Sequence, residues 1–220
     1  MRSLRIAVFL VVAASLSVAQ NSASAQAGSS VGPKIEVPAL PALPGDLQAV
    51  VNKQFGTGFT IATTPGSVVM THITHEDDTP WTPLLTGDLD GDGVEDAAIV
   101  VRGKDPLGAA AHFDYKVLDP MNNFFGWGDP KVTSTFSTND PAHNFMVLVI
   151  HGSGKEAWRA EKPKAKFVLI NLSFDRVTLS GASLKKKPIA AVRVEESDGV
   201  SSLVFWDGKK YKYSPGAGGG

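Results

Sequence analysis

The stretch "TGDLDGDGVEDAAIV", residues 86–100, sets four aspartates and one glutamate within nine positions, between two runs of strand-like residues. Like charges a few Å apart repel by about 1 kcal/mol per pair even at the dielectric of water, so a cluster this dense calls for a cation. Counting from Asp88, carboxylates fall at positions 1, 3, 5 and 9 (Asp88, Asp90, Asp92, Asp96), with glycine at 6 and the carbonyl of Val94 at 7. Gly91 and Gly93 permit the sharp turn that such spacing needs. This oxygen-rich, flexible cage suits Ca2+, whereas Mg2+ demands a stricter octahedron. The alternative is a solvated Asp-Gly turn without metal. A helix-loop-helix calcium hand would need a bidentate acid at position 12, where Ile99 stands. The flanks "TPLLTG" and "AAIVVRG" are strand-like, so the loop is expected to join two β-strands.

The rest of the chain fits a mainly β fold. The runs "GFTIATT", "SVVMTHI", "NFMVLVIHG", "KFVLINL", "AAVRVEE", "SSLVFWDG" and "KKYKYS" are short, rich in β-branched and aromatic residues, and separated by Gly, Pro, Asp and Asn. Two Asp-Gly turns, Asp198-Gly199 and Asp207-Gly208, predict a three-stranded antiparallel meander at the end of the chain. One short amphipathic helix is expected in "GDLQAVVNKQFG", with Asp46 as N-cap, Leu47, Val50 and Val51 on one face, and Gly56 as the stop. The prediction is an antiparallel sheet or sandwich-like domain with one short N-terminal helix and a long irregular insertion between Gly103 and Asn144. A loop of that length usually binds, covers or is disordered, and its aromatic residues argue against disorder.

The first 25 residues carry Arg2 and Arg5, an apolar stretch from Ile6 to Ala14 and the small-residue pattern Ala23-Ser24-Ala25. This is the layout of a secretory signal peptide, and its apolar run is shorter than the ~20 residues that a bilayer needs. The expected product is exported, periplasmic or extracellular, with no membrane span in the mature chain. Residues 26–45 are rich in Pro, Ala, Gly and Ser and predict an extended linker. Residues 46–214 form the expected single domain, and residues 215–220 a flexible Gly-rich tail. With 43% hydrophobic and 20% charged residues, the chain has the composition of an ordinary globular protein. It contains no cysteine, which excludes a disulfide framework and a lipid-modified thiol. Removing the leader takes Arg2 and Arg5 and no acid, leaving 19 basic against 22 acidic residues and a net charge of −3. That balance is a poor footprint for nucleic acid. The lysines at 162, 164, 166 and 185–187 could form a local basic patch, but the expectation is solvated residues flanking strands.

The segment 84–101 resembles the FG-GAP repeat of integrin-type propellers and related bacterial surface proteins, whose calcium loop has the form D-x-D-G-D-G-x-x-D. The resemblance implies Asp88, Asp90, Asp92 and Asp96 as side-chain ligands of Ca2+ and Val94 as a backbone ligand, and brings no catalytic residue. Propellers repeat the motif blade after blade, and this chain has a single copy, so it is not expected to form a propeller by itself. A looser resemblance, over residues 46–213, is to secreted bacterial proteins with one FG-GAP-like loop and a Trp-Asp-Gly-Lys hairpin. It implies no known activity.

Three other groups of residues bear on chemistry. "VLVIHGSGKEAW" resembles the oxyanion segment of α/β-hydrolases, with His151 and Ser153 as the tempting residues, but the G-x-S-x-G elbow and the alternating helices of that fold are missing. A plain Gly-rich turn is the alternative. "THITHEDD" places His72 and His75 beside three acids, a mixture that can ligate zinc, although residues three apart on a strand point to opposite faces. Phe124, Phe125 and Trp127 are candidates for a ligand face that stacks on sugar rings, or for a cover over one edge of the core. The expectation is an exported, calcium-stabilised β module with a non-enzymatic recognition role toward an extracytoplasmic protein or glycan. The alternative is a secreted hydrolase built on the His151 region or on a His72/His75 metal site.

Overall fold

The structure, a computed structural model, describes residues 42–63, 82–103, 105–126, 145–172, 174, 176–195 and 200–216. Residues 1–41, which include the expected signal peptide and most of the expected linker, together with His72, His75, Trp127, Asp198, Gly199 and residues 217–220, lie outside the described residues.

Three α-helices, one 3-10 helix (Gly154–Arg159, between β5 and β6) and ten strands are described: α1 (Leu47–Phe55), β1 (Phe59–Ile61), β2 (Leu84–Gly87), β3 (Asp96–Gly103), α2 (Ala110–Phe113), β4 (Lys116–Leu118), α3 (Pro120–Phe125), β5 (Phe145–His151), β6 (Ala165–Leu169), β7 (Arg176–Leu184), β8 (Lys187–Glu195), β9 (Ser201–Trp206) and β10 (Tyr211–Pro215). The first sheet runs β1-β3-β5-β6-β4, with β2 also paired to β3. Since β1 pairs with residues 101–103 and β2 with residues 96–99, these two strands lie end to end along one edge of β3. The second sheet is the antiparallel meander β10-β9-β8-β7. The fold is therefore mainly β and largely antiparallel; the exception among the described strands is β4, which pairs in parallel with β6.

The alternation of side chains along a strand explains why two cores form on either side of the first sheet. Ala97, Ile99 and Val101 of β3, with Met146, Leu148 and Ile150 of β5, face α1, where Leu47, Val51 and Phe55 are buried. Ala98 and Val100, with Val147 and Val149, face the second sheet and pack near Val177, Val192, Val194 and Val204. Strands covered on both sides read as continuous apolar runs, as "DAAIVV" and "FMVLVI" do. The result is three layers: helix, six-stranded sheet, four-stranded sheet.

Helix α1 and its glycine stop match the expectation, with Gly56 at φ +90°. Asp46 stands at the N-cap position, but its side chain makes no capping hydrogen bond; its backbone is already in the helical region, where the carboxylate does not reach back. The segment expected to be irregular holds α2, β4 and α3 in its described part. Strand β7 was not among the expected runs. The turn after it uses Lys185 (φ 50°) and Lys186 (φ 72°), where the sequence signal for such a hairpin is Asn-Gly or Asp-Gly. Pro215 belongs to β10, and Gly216 N–H donates to Ser201 O at 2.8 Å. Among the described residues, no helix is long and apolar enough to cross a membrane.

Candidate metal centre

The acidic loop connects β2 to β3, closed at its base by the pairing of Gly87 with Asp96. Its aspartates fold the loop by accepting backbone N–H groups a few residues onward, the Asx-turn habit of this side chain. Asp88 Oδ1 accepts from Gly91 (2.7 Å) and Asp92 (3.2 Å), and Oδ2 from Gly93 (2.9 Å). Asp90 Oδ1 accepts from Asp92 N–H at 3.1 Å, and Asp92 Oδ1 from Val94 N–H at 2.8 Å. Gly91 (φ +79°) and Gly93 (φ +84°) take the left-handed turns that a side chain would strain. A methyl group on Gly91 would also press on Ile189 Cγ2 at 3.1 Å, because the β7–β8 hairpin lies against the loop. Ala190 of that hairpin donates its N–H to Asp88 O at 2.7 Å.

Each carboxylate of Asp88, Asp90 and Asp92 offers an oxygen within 4.8 Å of the others, which is the hard, crowded donor set that Ca2+ prefers. Asp96 belongs to a second, buried group with Asp90 and His151. It is fully buried, and its carboxylate ties the loop down: Oδ2 accepts from Leu89 N–H (2.8 Å) and Asp90 N–H (3.2 Å), and Oδ1 from Gly152 N–H (2.7 Å). Burial raises its pKa to about 7, against the opposing pull of the N–H donors from Gly152 and Leu89.

His151 closes the inner side of this group. It follows Phe145, Val147 and Val149 along the face of β5 turned to the second sheet, where it meets the rings of Phe167, Trp206 and Tyr211. Nε2 lies 2.7 Å from Tyr211 Oη, and Nδ1 lies 3.3 Å from Asp90 Oδ2. Burial lowers its pKa to about 4, so the ring is neutral. A carboxylate can only accept, which places the single ring proton on Nδ1 and makes Nε2 the acceptor from the tyrosine hydroxyl. Tyr211 is held well above the ordinary tyrosine range by burial and therefore keeps that proton.

Lys164, just before β6, reaches across the outer side. Its Nζ lies 2.6 Å from Asp90 Oδ2 and 2.8 Å from Asp92 Oδ2. Hydrogen bonds to those two carboxylates hold the ammonium above the usual lysine range. Burial raises the pKa of Asp92, but the hydrogen bonds from Lys164 and from Val94 N–H outweigh it and leave the group below its ordinary value.

The structure thus gathers Asp88, Asp90 and Asp92 as one group and turns Asp96 inward beside them, while Val94 sits half-buried on the same loop. Glu95 points elsewhere, with Oε1 accepting from Trp158 Nε1 at 3.2 Å. His151 belongs to this acidic centre and not to a serine pair: both ring nitrogens face Asp90 and Tyr211, and Ser153 is exposed on the turn that follows. Phe124 and Phe125 are 51% and 44% exposed on α3, forming a ring cluster with Tyr213 of β10. Lys164 and Tyr211 carried no local signal, since they stand 74 and 60 residues from Asp90 and His151 respectively. None of the family models, curated proteins or solved structures compared with the chain matches it.

Proposed function

We propose that this chain is an exported β module stabilised by Ca2+ in the loop 88–96, with a non-enzymatic recognition role toward a protein or glycan outside the cytoplasm. The observation that carries the calcium reading is the convergence of the Asp88, Asp90 and Asp92 carboxylates within 4.8 Å on a glycine-turned loop. The likeness of that loop to the FG-GAP calcium motif supports it, with the Val94 carbonyl and Asp96 as the further donors. Asp88 Oδ1 and Asp96 Oδ2 each accept two N–H groups, but Asp88 Oδ2, Asp90 Oδ1, Asp92 Oδ1 and Asp96 Oδ1 each accept one and keep a lone pair, so the hydrogen bonds of the loop are compatible with coordination. Export rests on the arginine, apolar and Ala-Ser-Ala order of the first 25 residues. The recognition role rests on the exposed Phe124 and Phe125, with Trp127 following in sequence. An ion that binds only the folded state stabilises it by RT ln(1 + [Ca]/Kd), about 1.4 kcal/mol for millimolar calcium and a Kd near 10⁻⁴ M. Melting in calcium and in chelator should therefore differ by a few degrees. Asp92→Ala should remove that difference. Equal melting temperatures in both, with no calorimetric binding, would leave the loop a plain acidic turn.

A further inference from the structure

We propose that Lys164 is a tethered counter-ion that sits in the calcium ion's place between Asp90 and Asp92, and so sets how tightly the loop binds calcium. The inference rests on the calcium reading above and adds what the ion must displace.

The three loop carboxylates offer oxygens within 4.8 Å of one another, where each pair repels by about 1 kcal/mol at the dielectric of water and a positive partner is favoured. The side chain of Lys164 supplies one, bridging the Oδ2 atoms of Asp90 and Asp92 at 2.6 and 2.8 Å. Asp90 is the more enclosed of these two carboxylates. Its side chain is 3% exposed, Oδ1 accepts from Asp92 N–H, and Oδ2 is shared between Lys164 and the Nδ1 edge of His151. The Oδ2 atoms are the ones that Asp90 and Asp92 turn to a single shared cation, so a divalent ion that bridges the two carboxylates there takes the positions that the ammonium now fills. The backbone of Lys164 is fixed, since its N–H donates to His151 O at 2.9 Å, while its side chain is 51% exposed and free to swing into water. Calcium binding is accordingly an exchange of one cation for another. The loop keeps its shape without calcium, and affinity falls by the worth of the two ion pairs that are broken.

The test is calorimetric titration of calcium into the full chain and into Lys164→Met and Lys164→Arg variants, with melting in chelator and in saturating calcium. Partly exposed ion pairs are each worth up to about fivefold in an equilibrium, so Lys164→Met should bind calcium about tenfold more tightly. The same variant should melt lower than the native chain in chelator and level with it in calcium, and Lys164→Arg should stay close to native affinity. Equal affinity in the native chain and Lys164→Met would overturn the inference and leave the calcium reading standing. Binding by Lys164→Met alone would support the inference and end the calcium reading for the native chain, and binding by neither would end both. Should Lys164→Met fail to fold, reductive methylation of the native chain gives the answer: Lys164 should be labelled faster in calcium than in chelator. No change in labelling at a calcium level shown to bind would overturn the exchange.

Discussion

Asp96 Oδ1 receives the backbone N–H of Gly152 at 2.7 Å, across 56 residues of chain. With Leu89 and Asp90 donating to its other oxygen, one buried carboxylate serves three backbone donors and fastens the acidic loop to the end of β5. Each buried donor left without a partner costs about 1–3 kcal/mol, so Asp96→Ala should lower unfolding stability by about 3 kcal/mol or more in urea titration. Gly152→Ala should also be severe, because the added methyl carbon would lie 2.3 Å from Glu95 O, a backbone atom that cannot step aside. A near-native midpoint for either variant would show that the anchor is dispensable.

Glu95 separates the acids that fold the loop or face its centre from the one that does not. Its carboxylate is engaged by Trp158, so Glu95→Gln should keep the full melting response to calcium that Asp92→Ala loses. Loss of the response in Glu95→Gln would mean that the loop's donors have been assigned to the wrong side.

Lys166 joins two helix ends. Its Nζ donates to Gln54 O in the last turn of α1, at 3.0 Å, and to Phe113 O at the end of α2. A cation at a helix C-terminus adds a favourable dipole interaction to the hydrogen bonds it makes. Lys166→Met should cost about 1–3 kcal/mol in chemical denaturation, and Lys166→Arg should recover part of it.

Alkaline pH should find the buried tyrosines. Burial raises Tyr115 from 10.0 to about 12, and its hydroxyl donates to Pro106 O at 2.9 Å. Tyr211 shifts in the same direction. The folded chain therefore holds protons that the unfolded chain releases, so this stability is complete below pH 10 and is lost as pH rises toward 12. Unfolding free energy should fall across that window by up to about 1.4 kcal/mol per pH unit for each tyrosine, and the melting temperature should fall with it. Tyr115→Phe should soften the fall; an unchanged profile would remove Tyr115 from the account.

Phe124 and Phe125, about half exposed on α3, should be inexpensive to lose. Changing both to Ala should move the melting temperature by only a few degrees while weakening the capture of any glycan or protein partner. Gross unfolding would identify these rings as part of the core.

The legible parts of the fold were local. Helix α1 announced itself through Leu47, Val51 and Gly56, the strands beside the acidic loop through their apolar runs, and the last hairpin through Asp207-Gly208, whose glycine stands at φ +97°. The spacing of Asp88, Asp90 and Asp92 was sufficient to place three carboxylates together. What the spacing could not convey was the company they keep. Lys164 looked like one more strand-flanking lysine, and His151 like part of a glycine-rich turn, because their partners arrive from far along the chain, by strand pairing for Lys164 and by packing of the second sheet for Tyr211 against His151. Asp96 is the intermediate case: its position was readable, but its inward role depends on Gly152, whose approach is set by the β3–β5 pairing.

The parallel seating of β4 against β6 bears on the order of assembly. Strand β4 does not pair with β3, which precedes it, nor with β5, which follows it, so the strand it needs is produced about fifty residues later. Pairings over such separations are slow, because the entropy of closing the intervening chain is lost before any contact compensates. On emergence, the β2–β3 hairpin can close by itself, whereas β4 must wait until β6 has been made. The far edge of the first sheet therefore closes only after the last of its strands in sequence is made, and a chain halted before residue 165 would carry β4 without its partner.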